Sequence, residues 1–155
     1  MNKFIIKQSI LKMNKIVPFV VLLLFSCTTQ KSVVLNTSFS TIYKNSYGGN
    51  ENAVYLHITN NEDYIKFIET LKIEESEFNK LVTINFKEND VIVLNQGQKN
   101  TGGYSIDVAQ INWENEILLI KKLETFPMKG EMVTMALTSP YCIAKIPKAK
   151  SIKVY

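Results

Sequence analysis

The chain contains no arginine: all 18 of its basic residues are lysines. Arginine's planar fork supplies the bidentate contacts to phosphates and base edges, so its absence argues against nucleic-acid binding. The placement of charge argues against it again. Lys3, Lys7, Lys12 and Lys15 lie before residue 16, every acidic residue lies after residue 50, and from residue 27 onward 14 lysines face 14 acids. The formal net charge of +4 therefore belongs to the first stretch, and the body is neutral rather than a basic surface for a polyanion. One histidine and two cysteines leave little material for a metal centre or a histidine-based catalytic machine, and no metal or cofactor is expected.

Long hydrophobic runs are also missing. The longest, residues 16–25 (IVPFVVLLLF), is ten residues and holds Pro18. That is too short to cross about 30 Å of hydrocarbon as a helix, and it fits the apolar region of a secretory signal. Leu24-Phe25-Ser26-Cys27 resembles the bacterial lipobox, in which a cysteine after a small residue is lipidated and becomes N-terminal. The expected division is a lipoprotein signal peptide over 1–26, lipidated Cys27 with a tether over 27–38, and a single globular domain over 39–155. Met13 opens a compact leader of its own, so the start is either Met1 or Met13. The resemblance implies attachment to a bacterial membrane through acyl chains. Thr28, in place of an inner-membrane aspartate signal, points to the outer membrane, with the periplasmic face favoured over the cell surface. Lipidation of Cys27 leaves Cys142 single in an apolar stretch (Tyr141-Cys142-Ile143-Ala144), which reads as buried filler and permits no intramolecular disulfide.

The remaining 129 residues suffice for one core. Their pattern is α+β, β-rich and mainly antiparallel, with one amphipathic helix. Ser40–Tyr43 and Ala53–Ile58 have strand composition around a Tyr47-Gly48-Gly49-Asn50 turn signal and are expected to pair as a hairpin. Thr59-Asn60-Asn61-Glu62 has capping-box spacing, and Tyr64, Phe67, Ile68 and Leu71 share one helical face, which predicts a helix over 60–72. A polar, partly helical stretch, Glu74–Lys80, follows. Val91–Leu94 reads as a strand covered on both faces, and Tyr104, Ile106 and Val108 as one face of a half-covered strand. Further strands are expected at Ile117–Ile120, Val133–Leu137, Tyr141–Ile146 and Ile152–Val154. Trp113 is expected in a polar turn, folded back as a lid. Met128, Met132 and Met135 read as gap-filling core more readily than as an adaptable ligand surface.

Two loops carry what chemistry the sequence offers. Residues 96–103 (QGQKNTGG) hold three of the six glycines between two strands, which signals torsions or approaches that a side chain forbids. It is no P-loop, because no Gly-Lys-Ser/Thr follows. The second is Thr138-Ser139-Pro140-Tyr141. Ser139 has no histidine or lysine at an activating spacing, and a small hydrolase is disfavoured. His57 sits between strand-forming residues and is expected half-buried.

Gly97-Gln98-Lys99-Asn100-Thr101-Gly102-Gly103-Tyr104-Ser105-Ile106, followed by Leu137-Thr138-Ser139-Pro140-Tyr141 and an apolar strand to Ile146-Pro147, resembles the C-terminal domain of the protease complex subunit PrcB, over roughly 90–147. The resemblance implies a non-catalytic accessory lipoprotein that binds an exported subtilisin-like protease or another envelope protein and supports its assembly or stability. It places the protein-binding surface on Lys99, Asn100, Thr101, Gly102, Gly103, Tyr104, Thr138, Ser139, Pro140 and Tyr141. The Thr-Gly-Gly-Tyr turn is similar to one loop of chagasin-type protease inhibitors. Their Arg-Pro-Trp segment has no counterpart in a chain without arginine. An inhibitor module and a structural envelope lipoprotein stand as alternatives.

Overall fold

In a computed structural model, which describes residues 38–71 and 73–155, the elements follow in the order β1 (Ser40–Asn45), β2 (Tyr55–Ile58), α1 (Asn61–Thr70), α2 (Glu75–Leu81), β3 (Asn89–Asn95), β4 (Ser105–Glu114), β5 (Ile117–Thr125), β6 (Tyr141–Pro147) and β7 (Ser151–Val154). The two most continuously apolar segments, Val91–Leu94 of β3 and Tyr141–Ala144 of β6, are at most 3% exposed. A strand with no polar side needs cover on both faces, so β3 and β6 pair antiparallel in the middle of a four-stranded sheet of order β1-β6-β3-β2. Alternation along them then feeds two cores. Val91, Val93, Tyr141 and Ile143 pack under Tyr64 and Ile68 of α1, while Ile92, Leu94, Cys142, Ala144 and Ile146 pack against a second sheet.

That second sheet has the order β4-β5-β7 and contributes Ile106, Val108, Ile111, Leu118 and Ile120 to the shared core. The layers are therefore helices, four-stranded sheet, three-stranded sheet: an α+β, β-rich and mainly antiparallel domain. The parallel pairing of β7 with β5 is the exception.

Several local expectations change. β1 and β2 do not form a hairpin: β1 pairs with β6 and β2 with β3, on opposite edges of one sheet. Their half-polar faces suit edges, and the two apolar strands claim the centre. The helix runs 61–70, and its cap is Asn60 rather than Thr59. The Asn60 side chain accepts from the Asp63 N–H at 2.9 Å and its amide donates to the Asp63 carboxylate at 2.7 Å. The polar stretch behind it does form a helix, α2.

Trp113 lies inside β4, half-buried against the inter-sheet core, and the turn falls at Asn115 and Glu116, both with positive φ. That is the signature of a two-residue hairpin turn, and its twist matches the strands it joins. No strand forms at 133–137, where the chain is irregular and Met128, Met132 and Met135 are 77%, 99% and 89% exposed. These methionines are surface residues, not core filler. Among the described residues no helix is long and apolar enough to cross a membrane.

Candidate functional site

Three connections meet at one end of the sheets: 46–54 between β1 and β2, 96–104 between β3 and β4, and 126–140 between β5 and β6. They are tied by backbone hydrogen bonds rather than merely adjacent. Lys99 N–H donates to Thr138 O at 2.8 Å and Thr138 N–H returns to Lys99 O at 2.9 Å, a strand-like bridge between the two loops singled out from sequence. The Thr138 hydroxyl donates to Thr101 O at 2.8 Å, and Gln96 N–H to Pro140 O at 2.9 Å. Ser139 serves the third loop: its N–H donates to Ser46 O, its carbonyl accepts from Gly49 N–H at 3.0 Å, and its hydroxyl accepts from Gly48 N–H at 3.2 Å. Those bonds occupy Ser139 structurally.

The glycines explain how closely the loops approach. A Cβ on Gly102 would collide with the Thr134 hydroxyl, while its N–H donates to Thr134 O at 2.9 Å. Gly103 has φ +85°, and a Cβ there would meet Pro127 Cβ and Val133 Cγ1 at 2.9 Å each. Only glycine combines a left-handed torsion with that proximity. Gly97 and Gly103, read as geometry-bound, both have positive φ.

The ten candidate contact residues are thus gathered at one end but differ in access. Asn100 and Gly103 are exposed; Lys99, Thr101, Gly102, Tyr104 and Ser139 are partly so; Thr138, Pro140 and Tyr141 are buried. Tyr104 stands edge-on to Phe126 with ring centroids 6.0 Å apart, and the Lys99 ammonium lies 5.7 Å from the Tyr104 ring centre. Tyr141 tilts against Tyr43 beneath the loops, and burial, with Tyr43 adding to it, raises its hydroxyl pKa. Around these residues lie Phe126, Met128, Met132, Met135 and Leu137, all more than half exposed. The sequence reading assigned the methionines elsewhere. The available signal was punctuation, since Pro127 and Gly130 flank residues that never settle into strand alternation.

The reactive groups are placed for structure. Cys142 is fully buried between the sheets, and desolvation, with the Asp107 charge behind it, pushes its thiol up to about 12. At the far end of β3, Asp90 is fully buried, a feature the sequence reading did not single out. Its carboxylate accepts from Ala149 N–H at 3.0 Å, lies 3.1 Å from His57 Nε2, and faces Lys148 Nζ at 3.3 Å. Lys148 also donates to Phe86 O at 2.9 Å, so the cluster fastens the segment entering β7 to the four-stranded sheet. Among the described residues no group of three or more His, Cys, Asp or Glu is placed to hold a metal ion. Cys27, the lipidation candidate, and the whole of 1–37 lie outside the described residues.

No curated protein and no solved structure matches the chain. The stretch from β3 through β6, which contains both singled-out loops and the exposed methionines, does find a counterpart. Residues 91–147 match the family model described as PrcB C-terminal, so over that stretch the chain is similar to the C-terminal part of PrcB.

Proposed function

We propose that the protein is a non-catalytic, lipid-anchored accessory subunit of the bacterial envelope that binds an exported protease, or the complex containing it, through the loop end. The observation that carries this is the joining of 96–104 to 126–140 by backbone bonds, with Phe126, Met128, Met132, Met135 and Leu137 exposed around Lys99 and Asn100. Exposed apolar side chains along a braced loop are a protein-binding feature, and methionine adapts to irregular partners. Thr138, Pro140 and Tyr141 act from beneath by fixing loop shape, while Lys99–Tyr104 and the methionines make contact. The similarity to a protease complex subunit over this same stretch supports the choice of partner. The proposed anchor is a lipidated Cys27 in the outer membrane, facing the periplasm.

The test is photocrosslinking in intact cells from position 132, with Lys99 as a second position. One dominant exported protease should be captured, and Met128→Glu with Met135→Glu should abolish capture from both positions without changing the folding transition. Capture of abundant envelope proteins at background from both positions would refute the reading.

A further inference from the structure

Among the described residues the two sheets expose four edge strands, and three of them carry a device against further pairing. β1 has a register shift between Thr41 and Tyr43, and Lys44 reaches from it to Asp107. β4 has a register shift between Val108 and Gln110, and β7 carries Lys153 with Lys150 just before it. β2, Tyr55-Leu56-His57-Ile58, has continuous register, no lysine, no carboxylate and no proline. Bulges, lysine and proline are the usual protections of a sheet edge, and β2 uses none of them.

Its outward hydrogen-bonding groups can be assigned. Asn95 N–H donates to Val54 O at 2.9 Å, so antiparallel alternation turns the backbones of Val54, Leu56 and Ile58 toward β3. The N–H and C=O of Tyr55 and His57 then point out of the edge, where no described strand pairs with them. Val54, Tyr55 and Leu56 are 45%, 49% and 45% exposed. Beside them is a hollow of about 380 Å³ walled by Leu56, Phe67, Leu71, Tyr141, Asn50 and Asn95.

We propose that β2 is a strand-accepting edge, which takes an extended segment of a partner protein that places an apolar side chain in this hollow and a basic one beside it. The backbone groups select an extended strand, because only a strand offers donors and acceptors at the matching spacing. The charge selects a basic one. α1, whose Phe67 and Thr70 line the hollow, holds the carboxylates Glu62, Asp63 and Glu69 against one lysine, Lys66. The last turn of α1, which reaches the hollow through Phe67 and Thr70, contains no basic residue to balance its carbonyl end. The same charge opposes a second copy, since pairing β2 with β2 would bring two acidic α1 helices toward one another. This inference is independent of the loop-end reading, and either can fail alone.

The probe is a short peptide of alternating valine and lysine, compared with its valine–glutamate counterpart, added to the full chain while amide exchange is followed by NMR. The lysine peptide should slow exchange at Tyr55 and His57 by about tenfold or more and leave 96–104 and 126–137 unchanged. Tyr55→Pro, which removes an outward N–H along with the phenol ring, should abolish the protection at His57, and Leu56→Lys should abolish it at Tyr55 and His57, while Val91–Leu94 stay as slow as in the parent chain. If Tyr55→Pro fails to fold, Leu56→Lys decides. No protection, or equal protection by the glutamate peptide, would overturn the proposal. Protection at β2 that rises with protein concentration in the absence of peptide would assign the edge to a second copy instead and overturn it equally.

Discussion

Gly103 and Gly130 share nearly the same backbone torsion, φ +85° and +86°, yet differ in surroundings. A Cβ on Gly130 meets nothing within 4 Å, whereas one on Gly103 meets Pro127 and Val133. Alanine at Gly130 should therefore cost only the left-handed torsion, about 1–2 kcal/mol. Alanine at Gly103 should cost that plus a forced displacement of the 126–137 loop, typically about 1–3 kcal/mol more. Urea unfolding followed by Trp113 fluorescence gives the comparison directly. Equal losses would mean that the loop yields freely and is no braced platform.

At the scale of elements, α1 illustrates how a cap and a stripe cooperate. The stripe buries Tyr64 and Ile68 completely, and the Tyr64 hydroxyl donates to Leu81 O at 3.1 Å, fastening the end of α2 to α1. Desolvation there pushes the Tyr64 hydroxyl up to about 12, so it stays a neutral donor throughout the ordinary pH range. The helix start is held by Asn60, which makes two bonds to Asp63, and not by the Thr59 side chain that the capping-box pattern suggested. Asn60→Ala should destabilise the protein by about 1 kcal/mol and Thr59→Ala by a fraction of that. Chemical denaturation of the two single variants checks the order, and the reverse order would move the cap back to Thr59.

Across the whole molecule, the two sheets are joined by apolar packing and by polar clamps, of which one lies between β4 and β1. Asp107 on β4 accepts from the Thr41 hydroxyl at 2.6 Å and from Lys44 at 2.8 Å, both on β1. Partial burial works to raise the Asp107 carboxyl, but bonds from Lys44, Thr41 and its neighbour's Val108 N–H outweigh it and hold the pKa below the ordinary carboxylate value. Reciprocally, the hydrogen bond from Lys44 to Asp107 holds the Lys44 ammonium above its ordinary value. A depressed carboxyl stabilises the fold above its unfolded pKa, and that contribution disappears as pH falls through the folded value. Stability should therefore decline below about pH 4. Asp107→Asn should lower stability at neutral pH by about 1 kcal/mol and show a shallower decline toward acid. Urea midpoints measured across the acid range test this, and an unchanged slope in the variant would show that the clamp carries none of it.

The sequence by itself determined which segments are strands or helices wherever one face had to be buried. The stripe of α1, the two-sided apolar runs of β3 and β6, and the buried Cys142 follow from side-chain pattern alone. It also located the 96–103 loop, whose glycines are fixed by geometry, because a missing side chain is a local signal. Only the tertiary structure decided which strands pair. Backbone hydrogen bonds are nearly blind to side chains, so β1 and β2, adjacent in sequence around a turn signal, were free to find different partners across the sheet. The same reason governs the parallel docking of β7 and the convergence of 46–54, 96–104 and 126–140 at one end. Exposure of Met128, Met132 and Met135 was hidden for a further reason: methionine's apolar side chain suits a core and a binding surface equally, and only the space around it separates the two.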